Sequence, residues 1–185
     1  MEIIFRRKWE AAHRFVEDAN RASKCAQPHG HTWNIEVTLS KEVASLHPDT
    51  NILVTFETAK KKWHEWIDEH VDHSLMINAK DPLVAFMRVD NPNGRLLVTP
   101  GDPTTEILSI LFKAKLEAFL KSDGLDLYCK HIKIDETMTN SVAFSGSVDN
   151  YLPSDPSGSA YWWNRPDFST HDLRQDKVRG TDLSI

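Results

Sequence analysis

Two stretches of alternating side chains near the N-terminus restrict the fold of this chain more than any other feature. In residues 2–15 the apolar side chains and one histidine occupy odd positions, namely Ile3, Phe5, Trp9, Ala11, His13 and Phe15. Arg7 is the one odd position that breaks the pattern. Residues 31–39 repeat the pattern with His31, Trp33, Ile35, Val37 and Leu39. A period of two is typical of strands that bury one face. We expect two strands joined by a polar loop over 16–28.

Two later segments change to helical spacing. Residues 55–70 carry an apolar stripe that includes Ala59 and Trp63, and Thr55 precedes it as an expected N-cap. A second helix is expected to begin at Asp102-Pro103, with Asp102 as its N-cap, and to end at Gly124. Extended chain is predicted again over 127–136 and 141–144. The segment 74–102 is interrupted by prolines and glycines, so we interpret it as a loop with a short strand over 95–99.

The order of these elements predicts an α+β fold: an antiparallel sheet with two helices on one face. Such a sheet has open edges that need a partner or a cover. From about residue 147 the composition shifts to Ser, Asp, Pro and Gly, yet aromatic residues persist at Tyr161, Trp162, Trp163 and Phe168. We therefore predict a domain over 1–146 and a C-terminal extension over 147–185 that is partly ordered by aromatic packing.

Charge and cysteine content exclude several classes of function. The 185 residues carry 22 Lys and Arg against 27 Asp and Glu, a formal net charge of −5, which gives no basic surface for nucleic acid or anionic membrane. No apolar run approaches the ~20 residues that span a bilayer. The two cysteines, Cys25 and Cys129, are too few for a disulfide framework. We expect a cytoplasmic protein with free thiols, no nucleic-acid partner and no membrane contact.

Three histidines are predicted to converge on the buried face of the two strands. His29 and His31 are two residues apart, so their side chains point to the face that carries Trp33. His13 ends the first strand on its apolar face, and antiparallel pairing would place it opposite the other two. Three neutral imidazoles without a fourth protein ligand match a catalytic zinc site, which keeps one position open for substrate.

Three further candidates surround this predicted site. Cys25 could complete a closed Cys-His₃ structural site, or act as a thiolate base or nucleophile beside the metal. The adjacent acid and imidazole of Asp72 and His73 are weak evidence alone. Glu136 ends a strand on its apolar face, where a ligand with two adjacent N–H groups could satisfy the carboxylate; an ordinary glutamate at a strand end is the alternative.

Together these motifs resemble the 6-pyruvoyltetrahydropterin synthase and 6-carboxytetrahydropterin synthase family over about residues 3–144. They occur in the family's order: Ala-Ala-His13-Arg, Cys25 to His31, Asp72-His73-Ser-Leu-Met-Ile-Asn78, Pro103-Thr104-Thr105-Glu106 and Glu136-Thr137. The resemblance implies a T-fold, in which subunits join their sheet edges into a trimeric barrel and two trimers stack into a homohexamer.

The resemblance also implies a role for each residue. His13, His29 and His31 would hold Zn²⁺, and Cys25 would be the base that abstracts a proton. Asp72 and His73 would relay protons from a neighbouring subunit. The pterin ring would be anchored by Glu136 in a pocket lined by the following residues: Thr104, Thr105 and Glu106. The implied substrate is 7,8-dihydroneopterin triphosphate.

Three residues separate Cys25 from His29, a spacing that resembles the carboxy branch, whereas pyruvoyl-forming members leave a longer gap. The resemblance implies formation of 6-carboxy-5,6,7,8-tetrahydropterin, acetaldehyde and triphosphate in queuosine (7-deazapurine) biosynthesis. The alternatives are a 6-pyruvoyltetrahydropterin synthase and a non-catalytic pterin-binding module with structural zinc. Two segments depart from the compact family pattern, namely 79–101 and 147–185.

Overall fold

A single sheet of six strands organises the computed structural model, which describes residues 1–17, 22–43 and 45–171. A π-helical segment, Ile67–Val71, continues the first helix directly. Short 3₁₀ turns lie at Val148–Asn150 and Trp162–Asn164. The strands and α-helices follow one another in this order: β1 (Ile3–His13), β2 (His29–Ser40), α1 (Phe56–Trp66), β3 (Ser74–Asn78), α2 (Leu83–Asp90), β4 (Leu96–Thr99), α3 (Thr105–Ser122), β5 (Tyr128–Asp135) and β6 (Ser141–Phe144).

The strand order in the sheet is β4-β3-β1-β2-β5-β6. Antiparallel pairing joins β1 to β2, β2 to β5 and β5 to β6. The long β1–β2 ladder runs from Ile3 opposite Leu39 to His13 opposite His29. The α+β class and the two N-terminal strands are confirmed. A purely antiparallel sheet is wrong, because β3 pairs parallel with β1 and β4 pairs parallel with β3. Helix-containing crossovers connect these parallel strands, as parallel pairing requires.

Helices α1 and α3 pack on one face of the sheet, as predicted, and enclose an aromatic core. The rings of Trp9 and Trp33, which are paired across β1 and β2, stack with centroids 5.9 Å apart. Phe112 of α3 meets Trp9 edge-on, with its centroid 5.2 Å away, and Trp66 of α1 at the same distance. The buried tryptophans therefore tie both helices to the centre of the sheet.

The segment between β3 and β4 differs from the predicted loop, since it contains a third helix. Val84 of α2 packs with Ile77, Leu96 and Val98 in a small cluster. Met76 of β3 and Leu97 of β4 belong to the main core instead. Because successive strand residues point to opposite faces, α2 lies on the sheet face opposite α1 and α3. The expected arrangement of two helices on one face is therefore incomplete.

The start of α3 also differs from the prediction. Its N-cap is Thr104, whose hydroxyl accepts from the Ile107 amide, and not Asp102. The Asp102 carboxylate accepts instead from the backbone amide of Val16, at 3.0 Å, and from the side-chain amide of Asn78, at 2.8 Å. Asp102 thus fastens the loop after β1 to the segment before α3.

Residues 148–171 pack against α3 and the edge of β4. Trp162 and Trp163 are buried in the main core. The Trp162 indole donates to the Val98 carbonyl at 2.7 Å, and the Val98 amide donates to the Thr170 carbonyl at 2.9 Å. Residues 172–185 of the predicted extension lie outside the described residues, and the boundary at 146 stays a prediction. No helix in the described part of the chain has the length and apolar character to cross a bilayer.

Candidate metal centre and the surrounding site

The three histidines meet where β1 and β2 pair. His13 lies opposite His29, and Ala11 lies opposite His31, so the three rings share the face that carries Trp33. One ring nitrogen from each histidine lies within 4.8 Å of the other two. His13 is fully buried, while His29 and His31 are partly exposed. Neighbouring strands hold a three-nitrogen cluster with one side open, which is the arrangement expected from the alternation.

Hydrogen bonds to the backbone fix which nitrogen of two rings faces the cluster. His13 Nδ1 donates to the Pro103 carbonyl at 2.9 Å, and His29 Nδ1 donates to the Gln27 carbonyl at 2.8 Å. A carbonyl only accepts, so each neutral ring keeps its lone pair on Nε2. The two Nε2 atoms are 3.0 Å apart. Two lone pairs at that separation repel unless a cation lies beside them, so the cluster fits a metal such as Zn²⁺.

Burial favours the neutral form of the His13 and His31 rings. Desolvation lowers the pKa of His13 to about 4, against the raising effect of the Pro103 hydrogen bond. Desolvation also lowers the pKa of His31, and the nearby charge of Glu136 opposes that shift. A histidine must lose its second proton before it can bind a metal. Both rings are therefore available as ligands at neutral pH.

Cys25 is an exposed free thiol in the turn that leads to β2. Its carbonyl accepts from the Phe15 amide at 2.8 Å, which ties this turn to the end of β1. Within the described residues, the group with metal-ligand geometry consists of the three histidines and does not include Cys25. This geometry favours an open coordination position over a closed Cys-His₃ site.

Glu136 follows β5 and reaches the histidine cluster. Its Oε1 lies 3.7 Å from His13 Nε2 and 4.0 Å from His31 Nε2. The side chain is 21% exposed, so part of the carboxylate faces solvent. The strand parity predicted that Glu136 lies on the core face. It did not indicate contact with the histidines, because that contact depends on β5 pairing with β2.

Asp72 and His73 form a hydrogen-bonded pair after the π-helical segment. His73 Nδ1 donates to Asp72 Oδ2 at 2.8 Å, and the Glu10 amide donates to Asp72 Oδ1 at 2.8 Å. Burial raises the pKa of Asp72, but these hydrogen bonds and nearby positive charge outweigh it, and the pKa lies below its usual value. The His73 side chain is 73% exposed. Among the described residues no hydrogen bond or ion pair joins this pair to the cluster.

The threonine-rich start of α3 lies directly beside the metal-ligand cluster. Pro103, whose carbonyl orients His13, precedes the helix cap Thr104. Thr105 is buried and Glu106 is exposed at the first turn. The structure thus places the predicted pocket residues one to three positions from the group that orients His13.

Residues 2–147 match the family described as 6-pyruvoyl tetrahydropterin synthase. The chain belongs to this family. It is 27% identical over 131 residues to the 6-carboxy-5,6,7,8-tetrahydropterin synthase of Rickettsia bellii (strain RML369-C), covering 70% of this chain and 89% of that protein. The protein of the same name from Aquifex aeolicus (strain VF5) is 28% identical over 127 residues, with 66% and 76% covered.

Two solved structures share the fold. The 6-pyruvoyl tetrahydropterin synthase of Caenorhabditis elegans aligns with a TM-score of 0.56 and 23% identity, covering 80% of this chain and 96% of that one. An uncharacterized protein from Wolinella succinogenes aligns with a TM-score of 0.62 and 17% identity, covering 80% and 98%. The predicted family is confirmed, and the curated relatives favour its carboxy branch. The chain is a lyase; family membership implies a pterin substrate and an oligomeric enzyme.

Proposed function

We propose that this chain is a zinc-dependent lyase that converts 7,8-dihydroneopterin triphosphate to 6-carboxy-5,6,7,8-tetrahydropterin, acetaldehyde and triphosphate in queuosine biosynthesis. The observation that carries the proposal is the pair of lone-pair nitrogens, His13 Nε2 and His29 Nε2, at 3.0 Å beside His31. The names of the relatives and the three-residue gap between Cys25 and His29 support the carboxy branch.

In this proposal His13, His29 and His31 hold Zn²⁺. Bound zinc acts as a Lewis acid that makes neighbouring substrate hydroxyls more acidic. In this proposal Cys25 is the base. Its thiol is exposed and lies in the turn that leads to His29 and His31, so it can reach a substrate bound beside them. His73 completes the proton relay: its Nδ1 is committed to Asp72, so Nε2 is the nitrogen that exchanges a proton.

Glu136 has acceptor capacity for the pterin ring. Among the described residues no amide or hydroxyl is recorded as a hydrogen-bond donor to its side-chain oxygens, which lie nearest the imidazoles of His13 and His31. A pterin presents adjacent N–H groups that a carboxylate can accept in two parallel hydrogen bonds. We assign Thr104, Thr105 and Glu106 to the same pocket because they directly follow Pro103, whose carbonyl binds His13.

The proposed assembly uses the sheet edges. Only Ala11–His13 of β1 pair with β3, and the backbone of Glu10 is bonded to Asp72 and His73, so residues 3–9 present an open edge. On the other side β6 ends the sheet. Joining the β1 edge of one subunit to β6 of the next would close a barrel and satisfy both sets of backbone groups. A trimer or dimer of trimers would bring the exposed His73 to a neighbouring histidine cluster. The cytoplasmic location stays a prediction.

Product analysis separates the candidates. Zinc-loaded protein incubated with 7,8-dihydroneopterin triphosphate is expected to release acetaldehyde and triphosphate and to form the 6-carboxy product, identified by mass spectrometry. A pyruvoyl product would favour the other branch of the family. Pterin binding without turnover would favour the binding module with structural zinc. His31→Ala, treated in the same way, is the control for metal-independent breakdown.

A further inference from the structure

Asp72 and His73 lie in a backbone turn that is unfavourable for an ordinary residue. Asp72 directly follows the π-helical segment Ile67–Val71. His73 has φ 62°, in the left-handed region, where a β-carbon crowds the neighbouring carbonyl. Such a conformation persists when surrounding contacts hold it, and π-helical segments and strained residues are common at functional sites.

The peptide unit that joins Asp72 to His73 is held at both of its polar ends. Its N–H, from His73, donates to the Glu10 carbonyl at 2.6 Å. Its carbonyl, from Asp72, accepts from Arg95 Nη1 at 2.6 Å. A flip of this peptide would relieve the unusual φ but would break both hydrogen bonds. Glu10 and Arg95 therefore fix the plane from which the His73 side chain departs.

Arg95 also supplies a donor that the π-helical segment lacks. In such a segment a carbonyl accepts from the amide five residues later, and the Ile67 carbonyl accepts from the Asp72 amide at 2.7 Å. The Asp68 carbonyl would need the His73 amide, but that amide is bonded to β1. Arg95 Nη1 donates to the Asp68 carbonyl at 2.9 Å instead. One guanidinium nitrogen thus completes the helix end and orients the following peptide.

The sheet in turn places Arg95. It directly precedes β4, and its carbonyl accepts from the Leu75 amide at 2.9 Å. We propose that Arg95 is a positioning residue that holds the Asp72–His73 pair in the geometry needed for proton transfer. This inference rests on the proposed relay role of the pair. The positive charge of Arg95 also favours the ionised form of Asp72.

The test compares Arg95→Ala with Lys62→Ala in full-length, zinc-loaded protein. Lys62 is a matched control, since it donates to Ser122 and Asp123 at the end of a different helix. Arg95→Ala is expected to lower kcat by about 10- to 100-fold, because misplacement of a catalytic group costs on that order. Zinc content and KM should stay within about twofold of the wild type, because Arg95 is proposed to contact neither the metal nor the substrate. Lys62→Ala should keep the wild-type kcat.

Two further measurements separate positioning from general damage. Millimolar guanidinium should restore several-fold of the lost kcat to Arg95→Ala but none to His73→Ala, because the added cation can donate to the vacated carbonyls. NMR chemical shifts of the His73 ring should differ between Arg95→Ala and the wild type, because the ring departs from the peptide that Arg95 holds. Wild-type kcat and unchanged His73 ring shifts in Arg95→Ala, with His73→Ala inactive, would overturn the positioning role alone. Full turnover by His73→Ala would overturn the relay itself and this inference with it.

Discussion

His13 is the most enclosed of the three proposed metal ligands, and His31 is more open to solvent. Removing either ring leaves two protein ligands, fewer than a catalytic zinc site uses. We expect His31→Ala to lose zinc affinity by more than about 100-fold, the upper range for loss of a group that only supports a ligand. Zinc per subunit is measured by mass spectrometry after dialysis. The control is His131→Ala, which removes a β5 histidine that hydrogen-bonds Ser145 and is not a proposed ligand. Full zinc occupancy in His31→Ala would contradict the assignment.

The two cysteines are expected to behave differently. Cys25 is exposed, whereas burial raises the pKa of Cys129 to about 12 and keeps its thiol protonated. Cys25→Ala should retain zinc and oligomer size while turnover falls by about 10²- to 10⁴-fold, the usual contribution of a general base. Cys129→Ala should keep wild-type turnover when assayed on folded protein. Loss of zinc from Cys25→Ala would instead identify Cys25 as a ligand.

Glu136 is predicted to bind the pterin ring and not to hold the metal. Glu136→Gln retains the shape but replaces an acceptor with a donor that faces the donors of the ring. We expect a loss on the order of 2–4 kcal/mol of substrate interaction, from a charged hydrogen bond lost and a polar group left unpaired. Equilibrium binding of a pterin measures this loss, and zinc content is the internal control. Affinity within about twofold of the wild type, a change of under 1 kcal/mol, would reduce Glu136 to an ordinary strand-end glutamate.

At the scale of elements, the contact of α3 with the C-terminal segment predicts a pH dependence of stability. Lys115 is fully buried, and its ammonium donates to the carbonyls of Trp162 and Arg165 at 2.9 and 2.8 Å. Desolvation lowers the pKa of Lys115 from 10.5 to about 7, against the raising effect of Asp167. Between these values the unfolded chain binds more protons than the folded one, so the free energy of unfolding rises with pH.

Lys115→Met removes this titration. From pH 7 to 9 the unfolding free energy of the wild type should therefore rise relative to that of Lys115→Met, by up to about 1.4 kcal/mol per pH unit. Urea unfolding of both proteins at equal concentration measures the difference, and the other titrating groups cancel because both proteins share them. A constant difference between the two proteins across this range would contradict the pKa of Lys115.

Elements with one buried face could be predicted from the sequence. Of the two strands with two buried faces, β4 was predicted as a short strand over 95–99, whereas β3 was not predicted. β1 and β2 alternate because one face packs on α1 and α3, and this alternation also places the three histidines. β3 and β4 contribute to clusters on both faces of the sheet, so their residues are apolar without alternation. The eight residues of α2 are too few to establish a helical period.

Other features depend on contacts between distant segments. The carbonyls of Pro103 and Gln27 orient the rings of His13 and His29. They could not be recognised in the sequence because every residue has a backbone carbonyl. Asp102 and Thr104 are both good helix caps, and the choice between them was made by the loop amides that Asp102 binds. Pattern analysis thus predicted that the three histidines converge, whereas the groups that orient them could be found only from the fold.

At the scale of the whole molecule, the sheet has edges of two kinds. Thr170 covers the β4 edge: its hydroxyl donates to the Leu96 carbonyl at 2.8 Å, and its carbonyl accepts from Val98. Among the described residues, residues 3–9 of β1 and the outer side of β6 have no partner strand. Assembly through these two edges, and not through β4, is the arrangement that the hydrogen bonding favours.

Shared sites provide the sharpest test of this assembly. Among the described residues no hydrogen bond or ion pair joins His73 to the histidine cluster of its own chain, and the proposed assembly supplies His73 to the cluster of a neighbouring subunit. Cys25→Ala and His73→Ala should each be inactive alone. When the two variants are unfolded together and refolded at equal amounts, some sites combine an intact Cys25 with an intact neighbouring His73, and about a quarter of wild-type activity should return if subunits mix at random. Light scattering should show an oligomer throughout. A monomer at micromolar concentration, or no recovery in a mixed oligomer, would show that the sites are not shared between subunits.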